Sequence, residues 1–260
     1  MMETDQKDPD LLLTLARALR ILSIFNEEKS EYTLHEISNA LNIPKSMAFR
    51  TLYTLEAMGY LNKNHQTKTY TLGFEILRLG KVMRQNSSLS KLAMPVLQEL
   101  NDLTKEAVCL VIPDQKMMRG VQVLSMDAKH PIKHDSDMVT VGYLHCGAAR
   151  KTLLAYMEDE FVDQVIEEAG LPAITENTIT DPEILKLELR RIREQGYATS
   201  KAEATPDLFS IAAPVFSYEG DITGSIAINL PMYRLNDNEE KLAEWTKAYS
   251  AKISGKLSNI

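Results

Sequence analysis

Long apolar segments are absent from this 260-residue sequence, and no apolar run approaches the roughly 18–20 residues that a membrane-spanning helix needs. Cysteine is scarce too: Cys109 and Cys146 are the only two, which excludes a disulfide framework and fits a reduced compartment. The first ten residues, MMETDQKDPD, are acidic and polar, which is not typical of a secretory signal. The sequence therefore predicts a cytoplasmic protein without a membrane partner.

Positive charge is in deficit, because 29 lysine and arginine residues stand against 36 aspartate and glutamate residues, a net charge of −7. The position of the charge matters more for nucleic-acid binding than its sum. Residues 43–91 hold eight cationic and two acidic side chains, or +6, which leaves −13 for the rest of the chain. A basic module attached to an acidic body is one interpretation; an ordinary uneven surface charge is the other.

Three short helices are predicted at the N-terminal end. Leucines spaced by three and four predict an amphipathic helix from Leu11 to about Glu27. Thr33 and Glu36 have the spacing of a capping box, which predicts a second helix that stops at Asn42. Pro44 suits the first turn of a third helix, where its missing N–H costs nothing. Two helices joined by such a tight turn are typical of a helix-turn-helix.

The third helix should bury Ala48, Leu52 and Leu55 and end near Gly59. After it, residues 60–63 and 68–72 are predicted to form a basic hairpin around a polar turn at 64–67. A helix-turn-helix followed by such a hairpin is a winged helix. Two alternatives to a DNA-binding winged helix are a small helical bundle with a hairpin and a winged helix that binds proteins.

A DNA-binding winged helix would place the start of its third helix in the major groove and its wing on phosphates. The predicted contacts are Lys45, Ser46, Met47, Phe49, Arg50 and Tyr53 on the helix, and Lys63, Asn64 and Lys68 on the wing. Met47 and Phe49 fall between the buried positions, where a soluble helix is normally polar. We expect them to contact thymine methyl groups; alternatively, Phe49 folds back onto the core.

The rest of the chain predicts an α+β body. A connecting helix should span residues 73–85, a domain boundary should fall at 86–88, and a further helix should run from 89 to 105. Expected strands are 107–112, 118–124, 137–141, 197–202, 210–216 and 222–230. Expected helices are 146–157, 160–169, 182–194 and 239–257. A sheet covered by helices accommodates this order.

Catalytic and metal-binding readings find little support in the sequence. His145 and Cys146 are adjacent, and adjacent side chains do not face each other on a helix. The cysteines and histidines lack a close-spaced pair of zinc type, and no phosphate-binding or dinucleotide fingerprint is present. We therefore expect no catalytic residue, no metal and no cofactor.

Several segments together resemble the IclR family of bacterial transcription regulators, over essentially the whole chain. They are ALRIL (18–22), IPKSMAFRTLYTLEAMGYL (43–61), LHC (144–146), KTLLA (151–155), GY (196–197) and IAAPVF (211–216). The family tends to carry threonine where Met47 stands and histidine or tyrosine where Phe49 stands. That departure predicts an operator unlike those of relatives.

The resemblance implies a fold and a function. A flexible N-terminus (1–10) would precede a winged helix-turn-helix domain (11–73), a linker helix (74–88) and a GAF-like α/β effector-binding and oligomerisation domain (89–260). The implied protein is a ligand-responsive regulator that binds a double-stranded, pseudo-palindromic DNA operator as a homodimer or homotetramer. A small organic effector, aromatic or carboxylate in type, would change operator affinity. The alternative is a winged-helix interaction or sensor module without operator binding.

By the same resemblance, the effector pocket lies between the sheet and nearby loops. Its implied lining is Ala148, Ala149, Ser200, Ser210, Ala227 and Asn229. Small residues after Cys146 would expose backbone N–H groups at a helix N-terminus, where a carboxylate can bind.

Overall fold

A computed structural model describes residues 11–26, 29–130, 141–236 and 238–258 of the protein. The chain divides into two compact units, Met1–Asn86 and Ser87–Ile260. The predicted flexible N-terminus and all but the last residue of the predicted strand 137–141 lie outside the described residues. Within those ranges, no helix combines the length and the apolar character that crossing a bilayer demands.

The first unit is a helix-turn-helix with a small sheet. Its elements are α1 (Leu13–Ser23), β1 (Tyr32–Thr33), α2 (Leu34–Ala40), α3 (Lys45–Ala57), β2 (Leu61–Lys63), β3 (Thr69–Leu72) and α4 (Phe74–Asn86). Among the described residues, three antiparallel strands lie in the order β1-β3-β2. One cluster of buried side chains joins helices and sheet: Ile21, Ile37, Leu52, Leu55, Leu61 and Tyr70.

Local chemistry sets the helix-turn-helix boundaries, as predicted. Thr33 Oγ1 accepts from the Glu36 amide at 3.3 Å, and the Thr33 amide donates to Glu36 Oε2 at 2.7 Å, which confirms the capping box. Asn42 has a left-handed φ of 50° in the turn. Pro44 stands just before the first residue of α3. This turn therefore needs no glycine.

α1 is shorter than predicted, since it begins at Leu13 and ends at Ser23. Its N-cap side chain makes no capping hydrogen bond. At the other end, the Tyr32 hydroxyl donates to the Ile24 carbonyl at 2.9 Å, and Phe25 packs edge-on against the Tyr32 ring. The helix ends where these tertiary contacts begin, although the apolar pattern of the sequence continues.

The second unit is a sheet covered on both faces. Its helices are α5 (Ser88–Thr104), α6 (Ala148–Ala155), α7 (Asp159–Gln164), α8 (Pro182–Gln195) and α9 (Glu239–Leu257). Its strands are β4 (Ala107–Asp114), β5 (Arg119–Met126), β6 (Val141–Tyr143), β7 (Ala198–Lys201), β8 (Leu208–Phe216) and β9 (Ile222–Pro231). Within the described ranges the six antiparallel strands follow the order β6-β5-β4-β9-β8-β7. α5 and α9 cover one face, and α6 to α8 cover the other.

Two predicted helices differ from the structure. The helix expected from 146 begins at Ala148, because Gly147 has a φ of 85° that an α-helix cannot include. The helix expected over 160–169 is α-helical only as far as Gln164 and continues as a π-helical turn, Val165–Ala169. Such turns leave no signature in apolar spacing.

The sheet face beneath α6 carries small side chains in register. One row crosses four strands as Ala198, Ala212, Ala227 and Cys109. The next row on that face is Ser200, Ser210, Asn229 and Ala107. All eight residues of α6 are buried. The alanine row lets the helix lie close to the sheet, and the polar row continues beyond it.

Candidate functional site

Helix α3 packs an apolar face against the core and exposes aromatic side chains to solvent. Ala48, Leu52 and Leu55 are buried, as predicted. Phe49 and Tyr53 are one turn apart, and 49% and 65% of their surfaces are exposed. Phe49 is absent from the core of the unit, so the alternative in which it folds back inward is wrong. Met47 is half-buried.

The polar residues of the same helix accompany these rings. Lys45, Ser46 and Arg50 are exposed in its first two turns. Within the described part of the chain, no ion pair engages Lys45 or Arg50. α3 thus presents two cations and two aromatic rings to solvent.

The hairpin after α3 carries the three predicted wing residues. Lys68 is exposed with a left-handed φ of 58°, and Lys63 is half-buried with its Nζ 5.5 Å from the centre of the Tyr70 ring. Asn64 Oδ1 accepts from the amides of Gln66 and Thr67 at 2.9 and 3.3 Å. The Asn64 side chain therefore builds the turn, whereas the sequence predicted it only as a DNA contact.

A cavity of about 90 Å³ lies in the second unit, over the polar row of the sheet and the start of α6. Five of the six residues predicted for the effector pocket line it: Ala148, Ala149, Ser200, Ser210 and Asn229. Ala227 does not line it. It belongs to the alanine row, one row further along the strands, where α6 covers it completely.

The polar floor of the cavity is hydrogen-bonded. Ser210 Oγ donates to Asn229 Oδ1 at 2.6 Å, and Asn229 Nδ2 donates to Cys109 Sγ at 3.5 Å. Burial raises the pKa of the Cys109 thiol. Burial, with the nearby Glu203, also raises that of Cys146, to about 11. Both thiols are therefore protonated at neutral pH, the opposite of what a nucleophile needs.

Two arginines that the sequence did not predict, Arg150 and Arg234, also line the cavity. The buried Arg150 side chain runs beside Gly120 and Gly142, where an added Cβ would come within 2.8 and 2.5 Å of it. Arg234 makes a two-point contact with Glu106, Nε to Oε1 at 2.9 Å and a terminal nitrogen to Oε2 at 2.7 Å. The glycines paired across β5 and β6 are the sequence signal for Arg150, but only the register reveals it.

A buried ionic cluster adjoins the cavity. Lys151 is 1% exposed, and its Nζ lies 2.7 Å from Glu203 Oε1 and 3.0 Å from Glu188 Oε1. Burial raises the pKa of Glu203, against the opposing effect of Lys151. Across the residues that the structure describes, no three His, Cys, Asp or Glu side chains gather as a metal site.

Models of two protein domains match the chain. The IclR helix-turn-helix domain matches residues 14–65, and the C-terminal domain of the bacterial transcriptional regulator IclR matches residues 82–255. Among relatives, the HTH-type transcriptional regulator KdgR of Escherichia coli (strain K12) is 30% identical over 239 residues, 92% of this chain and 89% of that protein. The Pca regulon regulatory protein of Pseudomonas putida is 28% identical over 236 residues, 89% and 79% of the two chains.

Solved structures share the fold. An IclR transcriptional regulator from Alicyclobacillus acidocaldarius superimposes with a TM-score of 0.83 at 24% identity, covering 95% of this chain and 99% of that one. An IclR homolog from Microbacterium hydrocarbonoxydans, complexed with 4-hydroxybenzoate, gives 0.77 at 22% identity, covering 95% and 100%.

Proposed function

Because this chain belongs to the IclR family of ligand-responsive, DNA-binding transcriptional regulators, we propose that it binds a pseudo-palindromic operator as a dimer or a higher oligomer. The outward face of α3 carries this proposal, with the exposed Lys45 and Arg50 beside Phe49 and Tyr53. In this docking the cations bind phosphate and the aromatic rings meet base edges in the major groove. Lys63 and Lys68 on the wing add phosphate contacts, and the protein acts in the cytoplasm.

Exposed apolar side chains in the first unit support an oligomer. The exposed side chains are Leu12, just before α1, Leu15 and Leu19 of α1, and Phe74 and Leu77 of α4. Leucines spaced by three and four residues form one stripe of a helix, and a stripe exposed to water is typical of a surface that a partner covers. A second copy would supply the two-fold symmetry that a pseudo-palindromic operator requires.

The effector in this proposal is a compact organic acid bound in the cavity of the second unit. The lining offers Ser200, Ser210 and Asn229 as hydrogen-bonding groups and Arg150 as a cation. Its remaining wall is largely small and apolar, which suits a short carbon skeleton. The relative crystallised with 4-hydroxybenzoate makes hydroxylated aromatic acids the first compounds to screen.

Effector binding would change operator affinity through a coupling free energy of about 1–3 kcal/mol, or roughly 5- to 150-fold. We assign DNA binding to residues 11–73, effector binding and oligomerisation to 89–260, and transmission between them to the linker helix, 74–88.

The Lys45→Ala, Arg50→Ala double variant tests the docking. In fluorescence anisotropy on the DNA upstream of its own gene, affinity should fall and the salt dependence should flatten by about 0.9 in the log–log slope for each lost phosphate contact. Binding that persists at an unchanged slope would overturn this docking. A matched control removes two exposed cations from the other unit, Lys116→Ala with Lys241→Ala.

A further inference from the structure

Glu203 stands on the loop between β7 and β8 and reaches two groups of the α6 region. Its Oε1 is 2.7 Å from the Nζ of Lys151, and its Oε2 accepts from the Gly147 amide at 3.2 Å. Only 8% of Glu203 is exposed. One carboxylate thus joins the loop both to the residue that precedes α6 and to the middle of that helix.

The backbone of Glu203 adds a second set of contacts. Its carbonyl accepts from Thr178 Oγ1 at 2.7 Å, from Thr175 Oγ1 at 3.0 Å and from Cys146 Sγ at 3.1 Å. Thr175 and Thr178 belong to the segment between the π-helical turn and α8. Glu203 is therefore the point where three parts of the chain meet.

The residues that follow Glu203 form a wall of the cavity. Ala204 and Thr205 line it. The loop contains two non-glycine residues with a left-handed backbone, Ala202 at φ 58° and Asp207 at φ 57°. Such conformations cost free energy in non-glycine residues and persist where the surroundings fix them. The loop thus depends on contacts outside itself for its shape.

Glu188 provides a comparison within the same cluster. It also binds the Lys151 ammonium, at 3.0 Å, but it lies on α8, and no residue of that helix lines the cavity. Both carboxylates neutralise the same buried cation, and only Glu203 touches Gly147 and continues into the wall. A variant of each separates charge neutralisation from positioning of the loop.

We propose that Glu203 is a positioning residue of the ligand cavity, whose carboxylate holds the 202–207 loop against α6 and keeps that wall closed. The inference rests on the proposed function only in taking this cavity as the effector site. Glu188 contributes to the stability of the buried cation, and Glu203 in addition fixes the shape of the cavity.

Cys109 supplies a readout that needs no effector, because this buried thiol lines the same cavity. The full chain is treated with iodoacetamide at pH 8, and alkylation of Cys109 and Cys146 is followed separately by peptide mass spectrometry. Glu203→Gln should speed alkylation of Cys109 by about tenfold or more through local opening of the wall. Glu188→Gln should change that rate by less than about twofold, since the contacts of Glu203 remain.

Global unfolding is measured in parallel by urea titration, with the single tryptophan, Trp245, as the fluorophore. Equal alkylation rates at Cys109 in the two variants would overturn the proposal. So would an increase in the Cys109 rate no larger than the measured loss in the free energy of global unfolding accounts for. If Glu203→Gln does not fold, Glu203→Asp takes its place, because it keeps a negative charge beside Lys151 but shortens the side chain that reaches the Gly147 amide. It should also speed alkylation of Cys109, and an unchanged rate would refute the proposal. An effector screen that finds nothing would count against the proposed function alone.

Discussion

Ser210 on β8 donates a hydrogen bond through its hydroxyl to the side-chain Oδ1 of Asn229 on β9, at 2.6 Å. The two residues are direct partners across the strands, and both face the cavity. This pair therefore fixes the orientation of the Asn229 amide, whose nitrogen points towards Cys109. A ligand in the cavity meets an amide that is already oriented.

Asn229→Ala should weaken effector binding by about 1–3 kcal/mol, roughly 5- to 150-fold, because it removes an amide and leaves the Ser210 hydroxyl without its acceptor. Isothermal titration with an acid selected by thermal-shift screening measures the change. Ser225→Ala is the matched control, since Ser225 is on the same strand but bonds to the Ala149 carbonyl and lies outside the lining. Similar losses in the two variants would contradict a specific role for Asn229.

Phe49→Ala should relax sequence recognition rather than weaken binding uniformly. If the ring contacts thymine methyl groups, the variant loses about 1–3 kcal/mol on an operator that has the contacted thymine. It should lose little on operators in which that thymine is replaced by cytosine. Anisotropy on a set of single T-to-C operators makes the comparison, with Met58→Ala as the control at the far end of the helix. Equal losses on every operator would exclude a thymine-reading role.

Lys68→Asn should reduce operator affinity and lower the log–log salt slope by about 0.9, as expected for one phosphate contact. Asparagine is the suitable replacement because position 68 has a left-handed backbone, which asparagine adopts at a lower cost in free energy than alanine. Affinity is measured over a range of salt concentrations, with Lys116→Asn in the other unit as the control. A weakened complex with an unchanged slope would point to a disturbed wing instead of a lost charge.

The sequence predicted those features whose causes are local. The capping box of Thr33 and Glu36, the left-handed Asn42 and the buried face of α3 all depend on residues within a few positions of one another. The same holds for α8, where the side chain of Asp181 caps the first turn.

Features that depend on strand register and distant partners could not be predicted. Ala227 and Asn229 both point to the α6 side of the sheet, and only the position of α6 decides that one is covered and the other open. Lys151 and Glu203 are 52 residues apart in sequence. β1 is two residues long, too short for any periodic signal, and becomes a strand because β3 pairs with it.

Because of Glu36, the free energy of unfolding of the first unit should vary with pH in the acid range. Its hydrogen bond from Lys29, followed by those from Thr33, lowers its pKa to about 2. A lowered carboxyl pKa stabilises the fold above the unfolded value of about 4.5, and that contribution disappears as the pH falls towards 2. Urea unfolding followed by circular dichroism between pH 2 and 6 should show a shallower pH dependence for Glu36→Gln. If stability depended on pH in the same way in the unchanged protein and in Glu36→Gln, Glu36 would not be the source of this pH dependence.

Footprinting on the DNA upstream of its own gene, with and without a bound organic acid, is the decisive test of ligand-responsive operator binding by this protein. We expect two protected half-sites related by approximate two-fold symmetry, with centres about 10–10.5 base pairs or a multiple of that apart. The acid should shift the protein concentration needed for protection by roughly 5- to 150-fold. Absence of protection at moderate salt, both without ligand and with every acid that raises the melting temperature, would contradict operator binding by this protein.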